Sequence, residues 1–372
     1  MYIQPFFIVA ILCFSHAIKQ SAENFRNYGP SSRYVKPHRE TTVFREEPNL
    51  PANPATSFSG TNTPKRALMR AFGEGTQSDT TKQLMCPESL TPLKFGTFSF
   101  PLVEEQFLIS QEYGTRYRLD RSRTFWDLTI SAEQDSKSWF AVSQREAVSS
   151  RLFQNPIMSA VYERGYRQNF ENAGFPGPDK EFLDAQQFFL EDVTTPNEIV
   201  GTRSFGSVVD LSCGSGFMTR RFIKSSKFTQ VVSVDLSPAM LLETARRCDE
   251  EQIPRPSLMV RADVARLPFA TNSIDFVHAG AAMHCWPRLT ESLSEVHRVL
   301  KPGGKFYAST FFSTFPNVMF QKRPAGGSSS SGFYLFSDRD EIEQFVRGAG
   351  FPECRVRKEG RGCAIVKAVK SC

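Results

Sequence analysis

From Val208 to the C-terminus, two hydrophobic periods take turns along the chain. Val208 to Leu211, Gln230 to Asp235, Leu258 to Ala262, Ile274 to Ala279 and Lys305 to Thr310 are short and apolar, most of them rich in β-branched residues. That pattern predicts buried strands. Between them apolar residues recur three and four apart: Met218 and Phe222; Met240, Leu241, Ala245 and Cys248; Leu293, Val296 and Leu300; Ile342, Phe345, Val346 and Ala349. These predict amphipathic helices facing a sheet. The punctuation agrees. Ser237 caps one helix with Pro238 in its first turn, and Ser337 with Asp340 caps the last. Lys301-Pro-Gly-Gly304, Gly348 and Gly350 end helices, and Cys354–Lys358 with Gly362–Lys370 reads as a closing antiparallel hairpin. Strands alternating with helices predict a parallel sheet with right-handed crossovers.

The first part of the chain has another texture. Residues 1–17 hold a ten-residue apolar run, Pro5 to Phe14, followed by Ser15-His16-Ala17. The run is too short to span a bilayer, and the small residues after it fit a signal peptide. The run lacks a preceding positive charge, which leaves a signal anchor or a buried strand open. Residues 18–83 are rich in Ser, Thr, Asn and Pro without apolar periodicity, a composition that predicts a disordered leader. A signal-like segment followed by such a stretch is similar to the leaders of proteins sent to plastids of secondary origin; an endomembrane or secreted protein is the alternative. Residues 84–145 predict a small β module from Phe95–Phe100, Phe107–Ser110 and Phe125–Ile130. Beyond it, Met158, Tyr162 and Tyr166 predict a helix face over 156–170, with Glu163 and Arg167 paired at i,i+4. Phe311 to Phe333, with its Pro-Ala-Gly-Gly and four serines, predicts a loop, either a lid over a site or plain surface.

Composition changes this picture little. The 372 residues carry a net charge of +6, too weak to argue for nucleic acid, and eight cysteines without a repeated spacing. That usage predicts free thiols and a reducing compartment. Cys86-Pro-Glu-Ser resembles half of a zinc knuckle, but no second pair follows in the module, so no metal site is expected.

Candidate chemistry gathers at VVDLSCGSGFMTR, residues 208–220. A strand, a glycine turn and a helix start bring backbone amides to a ligand. A dinucleotide fingerprint needs a third glycine where Thr219 stands. Instead Asp210 precedes Gly214 and Gly216, a pattern that resembles the first motif of class I S-adenosylmethionine-dependent methyltransferases. Ser212 stands where that motif commonly has another glycine. Asp235 falls ~20 residues after the turn, the spacing at which a carboxylate reaches ribose hydroxyls. The runs YERGYRQNFENAGFPGPDKEF, RADVARLPFA, VHAGAAMHCWP and EVHRVLKPGGKF sharpen the likeness to plastid-targeted methyltransferases of plants, a group related to quinone-biosynthesis methyltransferases. The plant pattern has two CxxC pairs in the front module, of which this chain keeps only Cys86.

The resemblance implies an α/β fold: a Rossmann-like, seven-stranded, mostly parallel sheet with helices on both faces, over residues 150–372. It implies S-adenosyl-L-methionine as cofactor, held by Asp210, Ser212, Gly214, Gly216, Asp235 and Leu236, by Asp263 and Val264 at the adenine, and by Tyr166 and Arg167. His284 is the candidate base; His278 reads as bound in the sheet. Cys285 lacks the preceding proline of a pyrimidine-C5 nucleophile, and the Asn/Asp-Pro-Pro-aromatic pattern of adenine N-methylation is absent. The implied partner is a small, hydrophobic methyl acceptor of quinone or prenyl-lipid precursor type, with peripheral membrane or lipid-droplet association; oligomeric state is left open. An RNA methyltransferase and a non-catalytic cofactor-binding scaffold are the alternatives.

Overall fold

The computed structural model describes residues 83–100, 103–129, 174–191, 197–199, 202–312, 334, 336–360 and 362–371. The leader, the 156–170 helix with Tyr166 and Arg167, and most of the Phe311–Phe333 loop lie outside them.

The period-2 runs form one twisted sheet. Its core strands are β6 (Thr202–Leu211), β7 (Phe228–Asp235), β8 (Leu258–Arg261), β9 (Ile274–Ala279), β10 (Leu300–Phe311), β11 (Glu353–Glu359) and β12 (Cys363–Val369). Their order is β11-β12-β10-β9-β6-β7-β8. The five strands from β10 to β8 are parallel, and the β11–β12 hairpin adds antiparallel to β10. This is the expected seven-stranded sheet. The structure extends it twice: β5 (Asn197–Ile199) pairs antiparallel with β6, and the two residues of β4 (Trp126–Asp127) pair parallel with β8.

Alternation along each strand divides the core. Val208, Phe276 and Tyr307 face α1 (Pro178–Leu190) and α2 (Phe217–Ser225), while Val209, Val277, Phe306 and Ala308 face α4 (Leu289–Val299) and α5 (Arg339–Gly348). On the first face Phe189 of α1 is wholly buried among Phe222, Phe228, Phe276 and Tyr307. A third cluster seats Leu241 and Ala245 of α3 (Pro238–Glu250) on Met259 and Phe125. Ser237 caps α3 by accepting from Met240 N, as its sequence predicts. The cap of α5 is Asp338 rather than Ser337 with Asp340: Asp338 Oδ1 accepts from Glu341 N, and Glu341 reaches back to Ser337 N.

The front module comprises β1 (Leu93–Phe100), β2 (Val103–Ser110) and β3 (Arg116–Arg118), an antiparallel sheet of three. Its inner residues Leu84, Cys86, Leu108 and Tyr117 join the same buried cluster as Leu258, Val260 and Phe269. Cys86 sits wholly buried with its thiol 3.4 Å from Tyr117 Oη. Among the described residues, no helix is long and apolar enough to cross a membrane, no cluster of His, Cys, Asp and Glu fits a metal, and the cysteines are free.

Candidate functional site

The carboxyl ends of the adjacent strands β6, β7 and β8 open on one edge of the sheet. Between β6 and α2 the chain must reverse within a few residues, and it does so through left-handed backbone. Ser212 has φ 56°, Gly214 φ 55° and Gly216 φ 74°. Glycine suits this region because it lacks a Cβ. Ser212 occupies it as a side-chain-bearing residue, and its Oγ accepts from Trp286 Nε1 at 3.0 Å. At Gly216 space matters as well: a Cβ there would stand 2.4 Å from Thr244 Cγ2. Thr244 itself is fixed, donating to Gly214 O and Met240 O at 3.0 Å each. Arg220 of α2 donates to Ser215 O at 2.7 Å while its Nε pairs with Glu251 at 2.9 Å, so the bend is tied to both following helices.

The three acids stand in neighbouring strands and loops at this edge. Asp235 ends β7; its two oxygens accept from Gly214 N at 2.9 Å and Ser237 N at 2.8 Å. Burial pushes its carboxyl up to about 6, against the lowering pull of those amides. Leu236 beside it is 39% exposed, unusual for a leucine next to a buried sheet. Asp263 follows β8; Oδ1 accepts from Ala265 N at 2.9 Å and Oδ2 from Arg288 at 2.5 Å. Val264 packs half-buried on the core. Cys285 lies close enough to feel the Asp235 charge: burial raises its thiol to about 12, with that charge adding, so it stays protonated and is no resting nucleophile.

Asp210 lies deeper than an acid that meets a ligand directly. It is 2% exposed, and its carboxylate accepts from Thr219 Oγ1 at 2.5 Å and meets His278 Nδ1 at 2.9 Å. It therefore braces the bend from beneath. His278 is in β9, as read, and wholly buried. His284 lies in a short 3-10 turn, Met283–Cys285, after β9. Its Nδ1 is 3.4 Å from Thr310 Oγ1 and its ring meets the Phe311 ring edge-on at 4.8 Å. Burial alone lowers its pKa to about 4, so the imidazole is neutral throughout the physiological range.

Four further groups hold this edge of the sheet. Trp286 and Arg288 reach the bend and Asp263 from the loop before α4, and Glu181 comes from α1. The front module is the fourth: Asp127 of β4 pairs with Arg261 at 2.8 Å, and Arg261 Nε donates to Leu236 O at 3.0 Å. The module thus holds the backbone beside Asp235. None of these had a local signal except the apolar loop ending in Trp286.

A family model described as a methyltransferase domain matches residues 209–308. Two uncharacterized chloroplastic methyltransferases of Arabidopsis thaliana are 36% and 39% identical over 232 and 237 residues, 62% of this chain in each case. The chain spans 61% and 62% of the length of those relatives. A ubiquinone/menaquinone biosynthesis C-methyltransferase of Cereibacter sphaeroides is 32% identical over 179 residues, 43% of this chain and 71% of its own length. The parallel sheet, the glycine bend and these likenesses agree, and the chain belongs to the class I S-adenosylmethionine-dependent methyltransferases.

Proposed function

We propose that this protein transfers a methyl group from S-adenosylmethionine to a small hydrophobic acceptor of the quinone or prenyl-lipid precursor class. The observation that carries the reading is that Asp235 and Asp263, at the ends of adjacent strands, stand at one sheet edge beside the Ser212–Gly216 bend, which Asp210 braces from beneath. The residues fit the cofactor. Asp235 has acceptor capacity left over for ribose hydroxyls, in a partly desolvated setting where such bonds count most. Leu236 and Val264 offer apolar flanks to an adenine ring, with Asp263 as acceptor for its amino group. Ser215 Oγ, buried in the bend, has no hydrogen-bond partner among the described residues. The cofactor, when bound, supplies an already electrophilic methyl; the chain's part is to orient the acceptor and exclude water.

The acceptor class rests on kinship with a quinone-biosynthesis enzyme. An acceptor of that kind partitions into lipid, so the reading includes work at a membrane or lipid-droplet surface. The chloroplastic names of the Arabidopsis relatives support a plastid, reached through the signal-like segment and leader. Methyl-labelled cofactor incubated with lipid, RNA and protein fractions tests the proposal. Label in the lipid fraction is expected; label in RNA, or in nothing, overturns it.

His284 is the proposed proton acceptor. With its pKa near 4 it holds no proton to shed, and it orients an acceptor hydroxyl by its lone pair until bond formation makes that proton acidic. His284→Gln is expected to lower turnover about a hundredfold, with a much smaller change in cofactor affinity. In the wild type this group places its acid limb near pH 4 rather than at the ordinary histidine value. A limb near 6.5 that vanishes in the variant would show that the imidazole is not held neutral.

A further inference from the structure

The front module grips the large sheet at two points, and these stand on either side of the loop that carries Asp263. Before the loop, the two residues of β4 lie along β8, with Trp126 opposite Val260 and Asp127 opposite Arg261. Leu128 N then donates to Arg261 O at 2.9 Å. After the loop, Met85 N donates to Pro268 O at 3.0 Å, and Leu84 forms a bridge with Phe269. Residues Ala262 to Leu267 are thus bracketed by backbone bonds from one folded module. Apolar burial backs those bonds: Leu84, Trp126 and Leu128 are buried in one cluster with Val260 and Phe269.

Side chains carry the grip sideways to β7. Asp127 fixes the turn after β4, its Oδ1 accepting from Thr129 N at 3.1 Å and Thr129 Oγ1 at 2.6 Å. Its Oδ2 accepts from Arg261 Nη1 at 2.8 Å. The guanidinium is a rigid fork, and with one prong on Asp127 its Nε donates to Leu236 O at 3.0 Å. Leu236 directly follows Asp235, and Arg261 comes two residues before Asp263. The backbone supplies one link between the two loops, Ala262 N to Asp235 O at 3.2 Å. Arg261 supplies a second, and an acid of the front module aims it. Both partners are 24% exposed, so as a bare ion pair they add little stability. What the pair provides is geometry.

We infer that the front module is a clamp on the adenine half of the cofactor site, with Asp127 and Arg261 as its positioning residues. They set where Asp263 stands relative to Leu236, and so how strictly the site reads the amino group of the base. The inference rests on the reading of this crevice as the S-adenosylmethionine site. An amino group donating to a carboxylate makes a charge-assisted bond, and such a bond weakens steeply as its angle slips. Contacts to the ribose do not tell one base from another. A loosened clamp therefore loses base discrimination before it loses the rest of the cofactor's binding.

The test is calorimetry on the full chain with S-adenosylhomocysteine and with its inosyl counterpart, in which a ring carbonyl replaces the adenine amino group. The wild type is expected to prefer the adenosyl form by roughly ten- to a hundredfold, the scale of one hydrogen bond to a charged acceptor. Asp127→Asn keeps a carbonyl oxygen for Thr129 and turns an amide donor toward Arg261, so it breaks the pair and spares the turn. It is expected to cut the preference about fivefold, nearly all of it through weaker adenosyl binding. Arg261→Met keeps the stem, loses both polar contacts and is expected to cut the preference at least as far. It decides the question should Asp127→Asn fail to fold. Equal losses for the two ligands, as a general loosening of the fold would give, or no loss for either, overturn the inference and leave the crevice assignment standing. A wild type that binds both forms equally, or neither, sinks the assignment of Asp263 to the adenine and the inference with it.

Discussion

Asp235→Ala is expected to weaken S-adenosylmethionine binding by about a hundredfold, the largest loss from any single acid of the crevice. A carboxylate receiving two ribose hydroxyls makes two charge-assisted bonds, each worth roughly 1.5 kcal/mol net, and 3 kcal/mol corresponds to about two decades of affinity. The alanine also releases Gly214 N and Ser237 N, which Asp235 now holds. Asp235→Asn keeps an acceptor oxygen and falls between. The pH dependence gives a second handle. Burial raises this carboxyl to about 6, and hydroxyl donors favour its charged form, so the bound state has the lower pKa. Affinity therefore climbs as pH rises through 6 and levels off above it, while Asp235→Asn removes the slope. Calorimetry between pH 5 and 7.5 measures both; unchanged affinity in the alanine variant would falsify the ribose role.

The acid at the end of β7 was legible because everything that announces it is local. A buried strand, its last residue and a Ser-Pro helix start lie within ten positions, and the same holds for Asp210 with its glycines. The bends and strands follow from residues that are neighbours in sequence. What closes the site does not. Phe125–Ile130 reads as a strand of the front module, but that Trp126 and Asp127 pair with β8 instead is set by Val260 and Arg261, which stand far along the chain. Trp286 to Ser212, Arg288 to Asp263 and Glu181 to His278 are likewise contacts across the fold. Ser212 is instructive in another way. In sequence it is a departure from a glycine-rich motif; in the structure it takes the left-handed backbone that glycine would, and a bond from Trp286 offsets part of the roughly 1–2 kcal/mol that conformation costs. His278 was correctly read as a strand residue, but nothing in a strand pattern reveals that its ring stands between two carboxylates.

Gly216→Ala is expected to have the largest effect on stability at the site, and its cause can be split in two. An L-residue at φ 74° carries a strain of roughly 1–2 kcal/mol, and forcing a methyl into a filled space adds roughly 1–3 kcal/mol. At about 2–4 °C per kcal/mol for a domain of this size, a drop in Tm of about 4–20 °C follows. Thr244 cannot turn its methyl aside cheaply, since Oγ1 donates to both Gly214 O and Met240 O. Thr244→Ser keeps that hydroxyl and deletes only Cγ2, the atom 2.4 Å from the new methyl. By itself it loses a buried methyl, about 1 kcal/mol. In the Gly216→Ala background it should instead recover part of the packing loss, since Oγ1 at 2.8 Å and Cβ at 2.9 Å still crowd the new methyl, and leave the backbone strain in place. A double-mutant cycle on thermal or denaturant unfolding reads this as a coupling of about 1 kcal/mol or more. Additive effects would mean that Thr244 is not the obstacle and that the left-handed backbone alone demands glycine. The same cycle run on cofactor affinity carries the argument to function. Thr244 fixes Gly214 O and Asp235 fixes Gly214 N, so a bend pushed off Thr244 also moves off the acid. Affinity and stability should then recover together in the double variant.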